Sequence, residues 1–400
     1  MSAENSTTVY SGLGAAPGRA SGKAYVVRNA EDVMTVPAGS ILVMRILHPH
    51  LAPLLSRVAG LVVEEGALLQ HATTLARECG IPAAVGIRDA RNLFHDGDLL
   101  EVDGFTGKVI AKHVDWSVTP LTDLGSARYL DFAGGLYPNG KNSRPSAYED
   151  AGVALGATVQ PLDRDGKPST SGKVAMISIG MSNTCRQFSQ FIRLADADAR
   201  KNPSLVMIDA ALNGADATQI AAPDGDYWTH VNRQLQRCEI TIAQVQVVWL
   251  KTALAHEPRG FPEKARLLQG ALRSIVEILG TKFPQLKLLY VSSRTYGGYS
   301  ETDLSPEPIA YESAFAVKWL IEERIKHPNP DKSIPWVSWG PYLWADGLAP
   351  RSDGLIWERG DFELDGVHPS AQGALKVATK LFEFFESDAS AQHWFFSQPR

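Results

Sequence analysis

A serine follows an apolar run and a glycine in "KVAMISIGMSNTCRQF", and an aspartate and a histidine stand three residues apart in "DFELDGVHPSAQGALKVA". Ser182, Asp365 and His368 are the residue types of nucleophilic acyl transfer. A hydroxyl attacks a carbonyl, an imidazole takes its proton and returns it to the leaving group, and a carboxylate holds the imidazole in the right tautomer. The pattern around Ser182 reads as buried strand, Gly-containing turn and helix, so the hydroxyl stands where free backbone N–H groups can receive an oxyanion. A helix-cap role is the other reading of this serine. The D-x-x-H spacing falls in a tight turn before the last helix, where the carboxylate reaches one ring nitrogen and leaves the other for the serine.

A second histidine belongs to different chemistry. In "GALLQHATTLARECGIPAAVG", His71 stands at the start of a helical run that stops at Gly80 and Pro82. Free N–H groups and the helix dipole favour an anion there, so a phosphoryl group carried on the imidazole would be stabilised. A carrier of that kind must be exposed to visit two active sites.

The elements that must hold these residues fall into two patterns. From Tyr10 to about Lys112, short β-type runs ("GKAYVV", "SILVMR", "GLVVE", "DLLEVD", "GKVIA") surround two helical pieces, "HPHLAPLLSRVA" and "HATTLAREC". From Leu130 to Lys173, Gly, Pro, Ser and Asn dominate, which predicts an irregular lead-in packed on a second domain. Beyond Lys173, β-type runs alternate with helical ones, the order of a parallel sheet covered by helices. The last helix, "SAQGALKVATKLFEFFE", is predicted to put Leu375, Ala378, Leu381, Phe382 and Phe385 on one face.

Composition bounds the function. With 400 residues, two domains are expected; 44% hydrophobic and 21% charged residues and a net charge of −5 give no reason to expect nucleic acid. No apolar run reaches the roughly 18 residues of a membrane span and the N-terminus lacks a signal pattern, so a cytoplasmic protein is the expectation. Cys79, Cys185 and Cys238 are odd in number and far apart, neither a disulfide framework nor a zinc site.

Two resemblances sharpen this reading. The segment "GALLQHATTLARECGIPAAVG", with "GLGAAPGRASGKAYVV" before it and "DGDLLEVDGFTGKVI" after it, resembles the phosphohistidine swivelling domain of PEP-utilising enzymes such as PEP synthase, pyruvate phosphate dikinase and rifampicin phosphotransferase. That implies a small β/β/α domain over residues 1–117, with His71 phosphorylated by an ATP-grasp partner chain. The remainder, 118–400, resembles the SGNH (GDSL-like) hydrolases, with "GMSNT" and "DGVHPS" as their serine and D-x-x-H blocks. It implies a flavodoxin-like three-layer α/β/α domain with a parallel sheet. On that resemblance Ser182, His368 and Asp365 are catalytic, and the Ser182 and Gly214 amides form the oxyanion hole. Asn213 lies beside it and Lys251 stands roughly where the family has an oxyanion asparagine. Arg294, after a strand, and Tyr296, in a Gly-rich loop, are further substrate-binding positions.

Three functions stay open. One is a serine hydrolase of the esterase or carbohydrate acetylesterase type, joined to a phosphohistidine-type module and acting on a small ester with no metal or cofactor. Another is a phosphotransferase component that passes phosphate from His71 to a hydroxyl substrate in the larger domain. The third is an inactive scaffold.

Overall fold

The computed structural model describes residues 7–27, 36–48, 51–65, 71–94, 98–112, 118–255, 257, 259–300, 302, 304–327 and 334–397. The chain divides into two compact units, Met1–Val118 and Thr119–Arg400.

The first unit is built on strands β1 (Thr7–Ser11), β2 (Leu13–Ala16), β3 (Arg19–Val26), β4 (Ile41–Met44), β5 (Gly60–Val63), β6 (Ala83–Val85), β7 (Leu99–Asp103) and β8 (Lys108–Lys112), with helices α1 (Ala52–Leu55), α2 (His71–Glu78) and α3 (Ala90–Leu93). The sheet order is β1-β8-β7-β3-β4-β5-β6-β2. Its β3-β4-β5-β6 stretch is parallel and the rest antiparallel. In β4 successive residues serve two cores: Leu42 and Met44 pack with Leu55, Leu61 and Ala76, while Ile41 and Val43 pack with Phe94, Leu100 and Val109. That two-sided burial explains the continuous apolar run. β6 is too short and too rich in alanine to show in the sequence pattern. α2 stops as its composition requires, with Gly80 at φ +66° and the Ile81 N–H donating to the Ala76 carbonyl.

The second unit opens with α4 (Leu121–Leu124), a hairpin of β9 (Arg128–Tyr129) and β10 (Phe132–Ala133), and α5 (Ser146–Gly156). It continues through β11 (Val174–Gly180), α6 (Ser182–Asp196), β12 (Leu205–Asp209), α7 (Ala217–Ile220), α8 (Asp226–Arg237), β13 (Val245–Lys251), α9 (Glu263–Lys282), β14 (Leu288–Val291), α10 (Ile309–Lys326), β15 (Trp336–Trp339) and α11 (Ala371–Ser387). Its five strands are all parallel in the order β12-β11-β13-β14-β15. This is the doubly wound flavodoxin-like order, in which the direction of strand addition reverses between β11 and β13. On one face Phe188 of α6 stacks on Trp249 at 5.7 Å, and Val377, Leu381 and Phe385 of α11 complete the same core. Ile177, Val248, Leu250 and Leu289, which alternate with that set, are equally buried on the other face. Right-handed crossovers put α8, α9 and α10 there.

Two elements differ from the sequence expectation. The lead-in contains a helix, α5, hidden in the pattern because glycines form its inner face: a Cβ on Gly152 would lie 2.3 Å from the Trp336 ring, and one on Gly156 2.1 Å from the Ser390 carbonyl oxygen. In α11 the buried face is Ala374, Val377, Ala378, Leu381 and Phe385, with Phe382 partly buried against it, while Leu375 is 49% exposed. The apolar stripe therefore runs one position away from Leu375 and leaves it on the solvent side. The three cysteines are free thiols. No helix among the described residues is long and apolar enough to cross a membrane.

Gly152→Ala is expected to destabilise the protein by about 1–3 kcal/mol in urea unfolding, because the indole it meets is fixed by its Nε1 bond to the Tyr148 carbonyl (3.0 Å). An unchanged midpoint would mean that α5 does not depend on this contact.

Candidate active site

The nucleophile position is prepared by the end of β11. A Cβ on Gly180 would lie 2.1 Å from the Lys251 carbonyl oxygen, so only glycine lets the strand approach β13 this closely. The Tyr227 hydroxyl accepts the Gly180 N–H at 2.9 Å. Met181 is extended, and α6 begins at Ser182 with no side-chain cap and no acidic residue in its first turn.

The Ser182 Oγ lies 2.8 Å from His368 Nε2, and His368 Nδ1 lies 2.5 Å from Asp365 Oδ2. A carboxylate can only accept, so Nδ1 carries the proton and Nε2 is left to accept the serine O–H. Asp365 Oδ1 accepts the Val367 and His368 amides, both at 2.9 Å. Burial alone would push the Asp365 carboxyl up, but the imidazole and these two amides hold it below the usual carboxylate range.

The D-x-x-H turn is fixed from several sides. Gly366, at φ +67°, sits where a Cβ would be 1.6 Å from the Tyr299 carbonyl oxygen. Asn183 Nδ2 donates to the Val367 carbonyl at 2.9 Å, tying α6 to the turn. The Arg359 guanidinium donates to the Glu363 and Leu364 carbonyls at 2.7 Å each. Ser370 then caps α11.

Ser182 and His368 line a cleft of about 570 Å³ with Met181, Arg186, Asn213, Gly214, Asp216, Thr218, Gln219, Ala255 and Leu304. Among the described residues the N–H groups of Asn213 and Gly214 have no hydrogen-bond partner. The Ser182 N–H, first in its helix, has no intrahelical acceptor. Asn213 and Gly214 thus border the same cleft as Ser182 with their N–H groups unengaged. Asp216 braces their loop: one carboxylate oxygen accepts the Thr218 amide and hydroxyl and the Gln219 amide, and the other accepts the Ala255 amide at 3.0 Å.

Ser182, His368, Asp365, Asn213 and Gly214 are thus brought together, and three other sequence-predicted positions are not. Lys251 is 1% exposed and does not line the cleft; its Nζ has no hydrogen-bond partner among the described residues. Burial pushes this amine well below the usual lysine range, and the charge of Arg294 adds to the effect. Arg294 is itself buried, which brings its guanidinium down to about 10 against the opposing pull of Glu307. Tyr296 packs edge-on against Tyr299 at 5.1 Å and so supports the loop beneath Gly366 rather than the cleft. His71 begins α2, but its side chain lies outside the described residues.

The sequence reading missed Arg186 and Asp216. Both left a signal, Arg186 by standing four residues after Ser182 and Asp216 by opening the capping-box string "DATQ". Among the described residues no group of three or more His, Cys, Asp or Glu is placed to hold a metal ion.

Comparison with known proteins bears on the first unit. Residues 36–107 match the family "PEP-utilising enzyme, mobile domain". A chondramide synthase from Chondromyces crocatus is 47% identical over 98 residues, 24% of this chain and 2% of that one. A probable phosphoenolpyruvate synthase from Archaeoglobus fulgidus is 37% identical over 116 residues, 29% of this chain and 15% of that one. The chain spans between 2% and 15% of the length of the curated relatives it matches. Among solved structures, the periplasmic domain of a lipopolysaccharide acetyltransferase from Salmonella ser. Paratyphi A aligns with 59% of this chain and 95% of its own at 14% identity and a TM-score of 0.32.

Near the start of α10 burial raises two carboxyls, Glu307 and Glu312, from the ordinary 4.5 to about 7. Glu312 accepts the Tyr129 hydroxyl at 2.8 Å. A raised carboxyl favours the folded state fully below pH 4.5, and this contribution is lost as pH rises through 7. Glu312→Gln, neutral throughout, is expected to remove roughly 2–4 kcal/mol of the fall in unfolding free energy between pH 4 and 8. An undiminished fall in urea titrations across that range would rule out burial of the charged form.

Proposed function

We propose that the larger unit is a serine acyl-transfer enzyme of the esterase type, with water or a hydroxyl compound as acceptor. The observation that carries this reading is the continuous hydrogen-bond chain from Ser182 Oγ through His368 to Asp365, at 2.8 and 2.5 Å, opening on a cleft. Ser182 Oγ attacks the ester carbonyl while its proton passes to His368 Nε2, and Asp365 stabilises the imidazolium that forms. The carbonyl oxygen takes up negative charge among the Ser182, Asn213 and Gly214 amides, where each well-placed donor is worth about 2.7–4 kcal/mol. Collapse of the tetrahedral adduct expels the alcohol, which takes the proton from His368 and leaves an acyl group on Ser182. The acceptor's O–H then gives its proton to His368 as its oxygen attacks the acyl carbonyl; the Ser182 Oγ–acyl bond breaks, His368 returns the proton to Ser182 Oγ, and the acyl group leaves on the acceptor. These steps call on no metal or cofactor.

The lining is mixed, with Arg186, Asn213, Thr218 and Gln219 beside the apolar Met181, Ala255 and Leu304, and suits a small ester that carries both apolar and hydrogen-bonding groups, such as an acetylated sugar.

The mobile-domain match over 36–107, with His71 at the start of α2, favours a second activity for the smaller unit. In that reading His71 carries a phosphoryl group received from an ATP-grasp partner chain and passes it to a hydroxyl acceptor.

Ser182→Ala is expected to lower kcat/KM for 4-nitrophenyl acetate by at least about a thousandfold and to abolish labelling by a fluorophosphonate, with Asp365→Asn close behind. Full turnover in Ser182→Ala would end the acyl-transfer reading. For the smaller unit, acid-labile phosphate on protein isolated from producing cells, absent from His71→Ala, is the expected result. Acid-labile phosphate retained in that variant would place the modification elsewhere.

A further inference from the structure

We propose that Arg186 makes the Ser182 cleft selective for esters that carry a carboxylate or phosphate group. The inference rests on the acyl-transfer reading and names the substrate class for that same site.

Arg186 stands four residues after Ser182 on α6, so the two share a helix face with Cβ atoms about 5–6 Å apart. Helical side chains lean toward the helix N-terminus, which carries the guanidinium over the turn that holds the nucleophile. Arg186 accordingly lines the cleft beside Ser182 and His368. Its Nη1 donates to Glu363 Oε1 at 3.2 Å and to the Pro369 carbonyl at 3.1 Å. Among the described residues nothing bonds its Nε or Nη2, so the side of the fork that binds a carboxylate or phosphate in bidentate fashion remains available.

The existing ion pair does not prevent this. The Arg186 and Glu363 side chains are 45% and 52% exposed, and a pair this wet is weak and screened by salt. The other acidic groups near the serine are occupied. Both oxygens of Asp216 accept hydrogen bonds, and Asp365 is engaged by His368 and two amides. An anionic group entering the cleft meets the guanidinium and the positive end of α6, while Asp216, Asp365 and Glu363 keep their negative charge, so the attraction rests on direct hydrogen bonds to the Arg186 Nε and Nη2 rather than on the net charge of the cleft. The spacing puts that group roughly 5–8 Å from the carbonyl under attack.

The test uses the full chain and two ester pairs matched except for charge: 4-nitrophenyl butyrate against mono-4-nitrophenyl glutarate for the acyl side, and methyl 3-acetoxybenzoate against 3-acetoxybenzoate for the alcohol side. Spontaneous hydrolysis is subtracted. The readout is the ratio of kcat/KM for the anionic to the neutral member, from which a general loss of activity cancels. The expected result is a preference of about tenfold to a hundredfold for the anionic member of at least one pair. It should shrink with added salt, disappear in Arg186→Gln, be partly restored in Arg186→Lys, and grow in Glu363→Gln, which releases the guanidinium. A ratio at or below one in both pairs, or a preference that survives in Arg186→Gln, would overturn the inference and leave Arg186 as a tie between α6 and the histidine turn. If no ester turns over and a fluorophosphonate leaves Ser182 unlabelled, the acyl-transfer reading fails and takes this inference with it.

Discussion

The candidate site depends on one backbone contact, the approach of Gly180 to the Lys251 carbonyl, where no Cβ fits. The same carbonyl accepts the Thr184 hydroxyl at 2.6 Å, so the end of β11, the end of β13 and the first turn of α6 meet at a single oxygen. Ser182 is thereby fixed relative to β13. Beyond β13, the Ala253 carbonyl accepts the Ala217 amide and the Ala255 amide binds Asp216, which extends the connection to the loop of Asn213 and Gly214. Ser182 and the loop of Asn213 and Gly214 are then held by one hydrogen-bonded unit, the kind of preorganisation that the proposed acyl transfer would require.

The strand order explains how residues 186 positions apart in sequence meet. In a doubly wound sheet the connections on either side of the reversal point diverge and leave a crevice at the carboxyl ends of the strands. β11 and β13 flank that point, and Ser182 follows the first of them. α11 lies alongside α6 and starts at the same end, with the Arg200–Glu386 ion pair joining their far ends. The turn before α11 therefore arrives at the start of α6, and His368 comes with it. A long apolar interface between two helices thus sets a distance of 2.8 Å between two polar atoms.

Much of this was legible in the sequence, and the exceptions have physical causes. Alternating β-type and helical runs identified the parallel sheet, because strands buried on both faces must be continuously apolar. The convergence of Ser182, Asp365 and His368 was legible because a strand-turn-serine and a D-x-x-H before the last helix occur together, each alone being a weak signal. α5 was not, since glycine on its packing face erased the apolar periodicity on which a helix is recognised. Lys251 was misread for a different reason. Its position at the end of a strand is visible in the sequence, whereas whether a long side chain turns into the cleft or into the core is decided by tertiary packing. Arg294 and Tyr296 share that ambiguity.

The absence of a cap on α6 has a thermodynamic meaning. Met181, at the capping position, has no side-chain oxygen to offer, and a side-chain cap is typically worth about 1 kcal/mol to a helix. Two helix starts border the cleft, and they differ: α7 is capped by Asp216, whereas α6, like α5, α8, α9 and α10, has no side-chain cap. A ligand whose acceptor reached the N–H groups at the start of α6 would bind the folded state alone, so occupancy of the cleft and stability of the fold would be thermodynamically linked.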